Sequence, residues 1–143
     1  MPHSQIANDV ECDPLRKMRS YQLASDLRRV AWDDAEKLQT HSVTLDIARQ
    51  LYRAVGSIAA NLAEGYSRSS GRDRARIFEY ALGSARESLE WYQSGLPVLG
   101  ETVVNARQET LVEIRRLLIA TIPRERARTI RPASQRSRAG FEG

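Results

Sequence analysis

Residues 57–91 read SIAANLAEGYSRSSGRDRARIFEYALGSARESLEW: the end of one helical ladder, a polar turn, and most of a second ladder. In the second, Phe78, Leu82, Ala85, Leu89, Tyr92, Leu96 and Leu99 recur at alternating steps of four and three, the spacing that aligns one face of an α-helix. Before the turn, Leu51, Val55, Ile58 and Leu62 step by four, three and four. Such a seam is buried only by another helix, so two seams joined by a short turn predict an antiparallel helix pair. Gly65 is expected to cap the first helix at its C-terminus. Ser70-x-x-Asp73 has the form of a capping box opening the second.

The rest of the chain repeats the pattern. Asp13-Pro14 is a helix-start signal, Asp as N-cap and Pro at the first helical position. The helix it opens should run to about Gln39, with Leu23, Leu27, Val30, Ala31 and Leu38 on one face. Arg28, Arg29, Asp33, Asp34, Glu36 and Lys37 fall mostly on the others. Thr40-His41-Ser42 is a connector in which Ser42 is a candidate cap, and Gly56 marks a point where another backbone is expected to pass. Pro97 should kink or end the third helix near Ser94-Gly95, and Gly100 separates it from a fourth over about Thr102 to Ile122. There Val104, Leu111, Ile114, Leu118 and Ile122 can share a face, and Pro123 is expected to stop the helix. There are no β-hairpin signals. The prediction is an all-α fold, an antiparallel up-down-up-down four-helix bundle over residues 14–122 with helices about 30 Å long. Residues 1–13 are expected to be a disordered acidic arm, and residues 123–143 a disordered Arg-rich tail, too poor in apolar side chains to offset its ordering entropy.

Charge and composition narrow the function classes. Lys+Arg is 22 and Asp+Glu 18, a net +4 in 143 residues. Residues 123–143 hold six arginines against two glutamates, so the tail alone equals the excess of the whole chain. This balance allows a polyanionic partner. No run of about 18 apolar residues exists, so no membrane span is expected. The N-terminus lacks the basic start and apolar core of a signal peptide. Cys12 is the single cysteine, which fits a reducing cytoplasm.

No catalytic constellation emerges. Di-metal bundle sites need Glu-x-x-His on two helices, and this chain has only His3 and His41, neither in such a motif. Cys12 lies in the expected disordered arm, and Gly-Arg-Asp-Arg is not a phosphate loop, so neither enzyme chemistry, cofactor nor metal is expected. Two polar stripes do stand beside the seams: Ser57, Asn61, Glu64 and Arg68 before the turn, and Tyr80, Ser84, Glu87 and Trp91 after it. They could meet through hydrogen bonds among Asn61, Glu64 and Ser84, fixing helix register or a subunit contact; a ligand site is the other reading. Arg68, Arg72, Arg74 and Arg76 cluster at the N-terminus of the third helix, where free N–H groups and the dipole also favour anions. The sharp reading is a contact to a phosphate backbone; the bland one is a solvated helix end with local pairs such as Arg76–Glu79. No aromatic stacking platform accompanies the cluster. Trp91, adjacent to Tyr92, points away from the seam and suggests a subunit interface.

Ser57-Ile58-x-x-Asn61-Leu62-Ala63-Glu64-Gly65-x-x-Arg68, followed by Ala81-Leu82-Gly83-Ser84-x-x-Glu87, resembles the proteins encoded in intervening sequences of bacterial 23S ribosomal RNA genes. The accessory protein of diversity-generating retroelements looks like a relative. The resemblance covers about residues 15–122, with Leu62 where isoleucine is more usual; the acidic arm and arginine tail are outside the pattern. It implies a small cytoplasmic four-helix bundle that assembles into a ring-like homopentamer without enzymatic activity. Through the retroelement relative, in which a positively charged barrel binds nucleic acid and a reverse transcriptase, it also implies RNA or DNA and a reverse transcriptase as partners. Carried onto this chain, the motif positions Ser57, Asn61, Glu64, Gly65, Arg68, Gly83, Ser84 and Glu87 imply structural roles.

Overall fold

Asp13 does cap the turn it precedes: its carboxylate accepts from the Leu15 N–H at 2.9 Å. That turn is a single 3₁₀ turn, Pro14–Lys17, and the chain restarts at Met18. The computed structural model describes residues 3–128. Its helices are α1 (His3–Glu11), α2 (Arg19–Gln39), α3 (Leu45–Tyr66), α4 (Gly71–Ser94), α5 (Leu96–Leu99) and α6 (Glu101–Arg128), with a second 3₁₀ turn at Ser42–Thr44. Among the described residues the fold is all-α, without strands, and has six helices, four of them long.

The long helices bury the faces their periodicity demands. Leu51, Val55, Ile58 and Leu62 of α3 are fully buried, as are Leu111, Ile114 and Leu118 of α6. On α4 the buried line runs through Ala75, Phe78, Ala81, Ala85, Ser88 and Tyr92, while Leu82 and Leu89 are only half-buried against it. Each long helix packs on two others: α3 on α2 and α4, and α6 on α4 and, more slightly, α2. Pro97 ends α4 as expected, leaving the one-turn α5, and Gly100 turns the chain with φ 86°. That left-handed conformation is the one glycine adopts without a Cβ penalty. Ser42 gives no cap bond; Thr44 is the buried residue of the connector, its hydroxyl donating to the Leu38 carbonyl at 2.6 Å.

Four expectations are corrected. Residues 3–11 form a helix, α1, exposed wherever its side chains are described. Pro123 does not stop α6, which continues to Arg128. A proline there removes one backbone hydrogen bond and disfavours the helix by about 3 kcal/mol. What holds the last turn lies mostly on another helix. Glu125 is 9% exposed and faces Arg74 of α4, Arg126 pairs with Glu79 of α4, and Arg128 pairs with Glu125. Residues 123–128 of the expected tail are therefore helical; residues 129–143 lie outside the described residues. Gly65 is not a C-cap but a buried contact: a Cβ there would sit 2.7 Å from two ring carbons of Phe78. Gly56, by contrast, has nothing within 4 Å of its Cβ position among the described residues, so none of their backbone passes it.

Gly71 shows how closely the α6 extension lies on α4. Its Cβ position overlaps the Glu125 carbonyl oxygen, a backbone atom that cannot rotate away. Gly71→Ala is expected to release residues 123–128 from α4 while the rest of the core persists. Hydrogen exchange should then show the amides of residues 124–128 losing protection at least tenfold, with those of residues 111–118 unchanged.

Candidate nucleic-acid interface

The α3–α4 turn is held by short local bonds. Ser67 Oγ donates to the Ala63 carbonyl at 2.8 Å, and Ser70 Oγ accepts from the Asp73 N–H at 3.1 Å, which makes Ser70 the N-cap of α4. Around it the four arginines separate. Arg68 donates to Glu64 at 3.0 Å, one turn back on α3. Arg76 lies 3.9 Å from Asp73. Arg74 turns inward, its side chain 19% exposed, with its guanidinium 5.0 Å from the Tyr66 ring centroid and 3.7 Å from Glu125. That last distance is too long for a hydrogen bond, so Arg74 Nε and Glu125 Oε2 are buried as an ion pair alone. Arg72 is exposed and makes no ion pair with a described residue. The first backbone turn of α4 is itself backed by the Glu125 carbonyl at Gly71. Three of the four cations thus face carboxylates that a phosphate would have to displace.

The motif positions hold the α3–α4 pair in a different way from the one expected. Ser57 Oγ donates to the Arg53 carbonyl on its own helix, and no hydrogen bond joins Asn61, Glu64 and Ser84 among the described residues. Glu87 makes the crossing instead: it accepts from Trp91 Nε1 at 3.1 Å and lies 3.7 Å from Arg53 of α3. Trp91 is half-buried against the core. Gly83 is open, with nothing within 4 Å of its Cβ position among the described residues.

Two features escaped the sequence reading. One is a buried charge network between α2, α4 and α6. Asp34 is 1% exposed, accepting from Tyr92 Oη at 2.7 Å and from Arg107 through Nε at 2.8 Å and Nη2 at 3.3 Å. Burial, and then donation to Asp34, push the Tyr92 hydroxyl well above its ordinary range. The hydrogen bond to Asp34 raises Arg107 likewise. For the tyrosine the folded pKa exceeds the unfolded one, about 10. Its contribution is full below that value and is lost as pH rises from there towards the folded pKa. Urea midpoints measured from pH 8 to 11 should fall more steeply in the parent chain than in Tyr92→Phe. The other feature is an exposed aromatic pair. Trp32 of α2 and Tyr52 of α3 meet edge-on, ring centroids 5.5 Å apart, beside a groove of about 290 Å³. Read linearly, the two residues are 20 positions apart on different helices, and only their packing joins them.

No group of three or more His, Cys, Asp or Glu is placed to hold a metal ion among the described residues. None of their helices is long and apolar enough to cross a membrane. A family model described as 23S rRNA-intervening sequence protein matches residues 16–120. The chain belongs to that family. No curated protein and no solved structure matches it. The family match takes in α2 to α5 and most of α6; α1 and the turn of α6 after Pro123 lie outside it.

Proposed function

We propose that this member of the 23S rRNA-intervening sequence family is a non-enzymatic accessory or scaffold protein of the bacterial cytoplasm. In this reading the four long helices act as an antiparallel bundle, the bundles associate as a ring-like homopentamer, and arginines on the ring bind the phosphate backbone of RNA or DNA. The observation that carries it is the family match across residues 16–120, supported by the +4 charge and the exposed Arg72 at the start of α4. Binding of this kind is sequence-independent and salt-sensitive. Arg72→Glu combined with Arg76→Glu, both exposed, is expected to weaken binding of a labelled RNA at least tenfold in low salt with an unchanged circular dichroism spectrum. Equal affinity for parent and variant would remove the turn from the interface.

A second reading is a protein-interaction module, for instance a reverse-transcriptase accessory subunit, whose arginines serve only pairing and solubility. The local pairing of Arg68, Arg74 and Arg76 favours it, as does the exposed Trp32–Tyr52 pair, since aromatic residues anchor protein interfaces. The two readings separate on salt response.

A further inference from the structure

α1 has no business being helical alone. It is nine residues long, and isolated helices that short are marginal in water. Yet Ile6 and Val10, one turn apart on one face, are 55% and 47% exposed. The same segment is acidic, with Asp9 and Glu11 on the helix and Asp13 just after it. Elsewhere the molecule carries the complementary surface. The groove between α2 and α3 is floored by Ala35 and Ala48, walled by Trp32 and Tyr52, and edged by Arg49 and Arg53, with Glu36 as its one acid. Trp32 is 55% and Tyr52 37% exposed.

We propose that α1 of one copy docks through Ile6 and Val10 into the Trp32–Tyr52 groove of a second copy, with Asp9 facing Arg49. The groove of its own chain is out of reach. Arg16 pins the last turn of α1, donating from Nε to the Val10 carbonyl at 3.0 Å and pairing with Glu11 at 3.6 Å. Ile6 is one turn further, about 6 Å, whereas Trp32 lies about 20 Å along α2 from Arg19. Each copy then gives a helix and receives one. Such a head-to-tail contact closes into a ring or extends, depending on the angle between copies. α1 lies outside the family match and the groove lies within it.

The inference rests on the homo-oligomeric part of the proposed function, and light scattering on the full chain separates the two. The parent chain is expected to run at a multiple of 16.2 kDa. Ile6→Asp with Val10→Asp, and separately Trp32→Asp, should each raise the concentration at which it dissociates at least tenfold. All three positions are exposed in the single chain, so the helices of residues 19–128 should be unaffected. A benzophenone-maleimide placed on Cys12, the exposed cysteine beside α1, should crosslink to residues 32–53 of another copy when isotope-labelled and unlabelled chains are mixed. Assembly of the two variants at parental concentrations, or crosslinks confined to one chain, would overturn the docking and leave the oligomer standing. A parent chain of monomer mass at every concentration would overturn both. Loss of RNA affinity in Trp32→Asp with its mass unchanged would assign the groove to stacked bases instead of α1.

Discussion

Asp34→Ala is expected to destabilise the chain by about 3 kcal/mol, the lower end of the range for breaking a buried charge pair. The carboxylate is 1% exposed and accepts three hydrogen bonds, from Tyr92 Oη and twice from Arg107. Removing it leaves a buried hydroxyl and a cation without an acceptor, and neither loss is returned by the methyl that replaces it. The Arg107 side chain is 24% exposed, beside Leu23, Leu27 and Thr110 between α2 and α6, so water can reach its guanidinium in part and the loss stays low in that range. Asp34→Asn keeps an acceptor for Tyr92 but loses the charge opposite Arg107, and should fall between Asp34→Ala and the parent. Tyr92→Phe removes one donor and should cost about 1 kcal/mol. Urea denaturation of the three variants checks this order; a change under 1 kcal/mol for Asp34→Ala would mean that the network does not hold α2 to α4 and α6.

Gly65→Ala is expected to cost about 2 kcal/mol, although alanine is the better helix former. Its Cβ would meet Cδ1 and Cε1 of Phe78 at 2.7 Å and the Arg74 carbonyl at 3.4 Å. Phe78 is fully buried and cannot swing clear, so the overpacking cost of up to about 3 kcal/mol outweighs the helical gain of about 1 kcal/mol. Gly56→Ala and Gly83→Ala provide the contrast. Both positions face open space, so within the single chain the same exchange should stabilise by about 1 kcal/mol. Thermal melts at low protein concentration should therefore move in opposite directions for residue 65 and for residues 56 and 83.

The helical seams were legible because every turn of α3 and most of α6 repeats the same spacing. The charge network was legible too, had the spacing been followed through charged letters. Leu27, Ala31, Asp34 and Leu38 step by four, three and four, so Asp34 stands on the buried ladder of α2. Val104, Arg107, Leu111, Ile114 and Leu118 place an opposite charge on the ladder of α6. By polarity alone Asp34 belongs off the apolar face; by period it lies on it. Other features were not legible. Whether a helical glycine meets a ring, as Gly65 does, or nothing, as Gly56 does, depends on which way its neighbour packs. Pro123 is a valid stop signal locally; the carboxylate pairing that carries α6 past it comes from Arg74, 51 residues away along the chain from Glu125. The arginine cluster was read from adjacency, and adjacency on a helix start spreads side chains around the axis: Arg74 goes inward while Arg72 and Arg76 stay outside.

The most direct test of the proposed function is fluorescence anisotropy of labelled RNA and DNA against the full chain and a chain ending at Arg128, across a salt series. The account predicts that both bind and that affinity falls steeply and linearly on a log–log plot as salt rises. Binding that needs residues 129–143 would reduce the interface to the tail, and no binding by either chain at moderate salt would contradict the nucleic-acid reading and leave the protein-interaction module in its place.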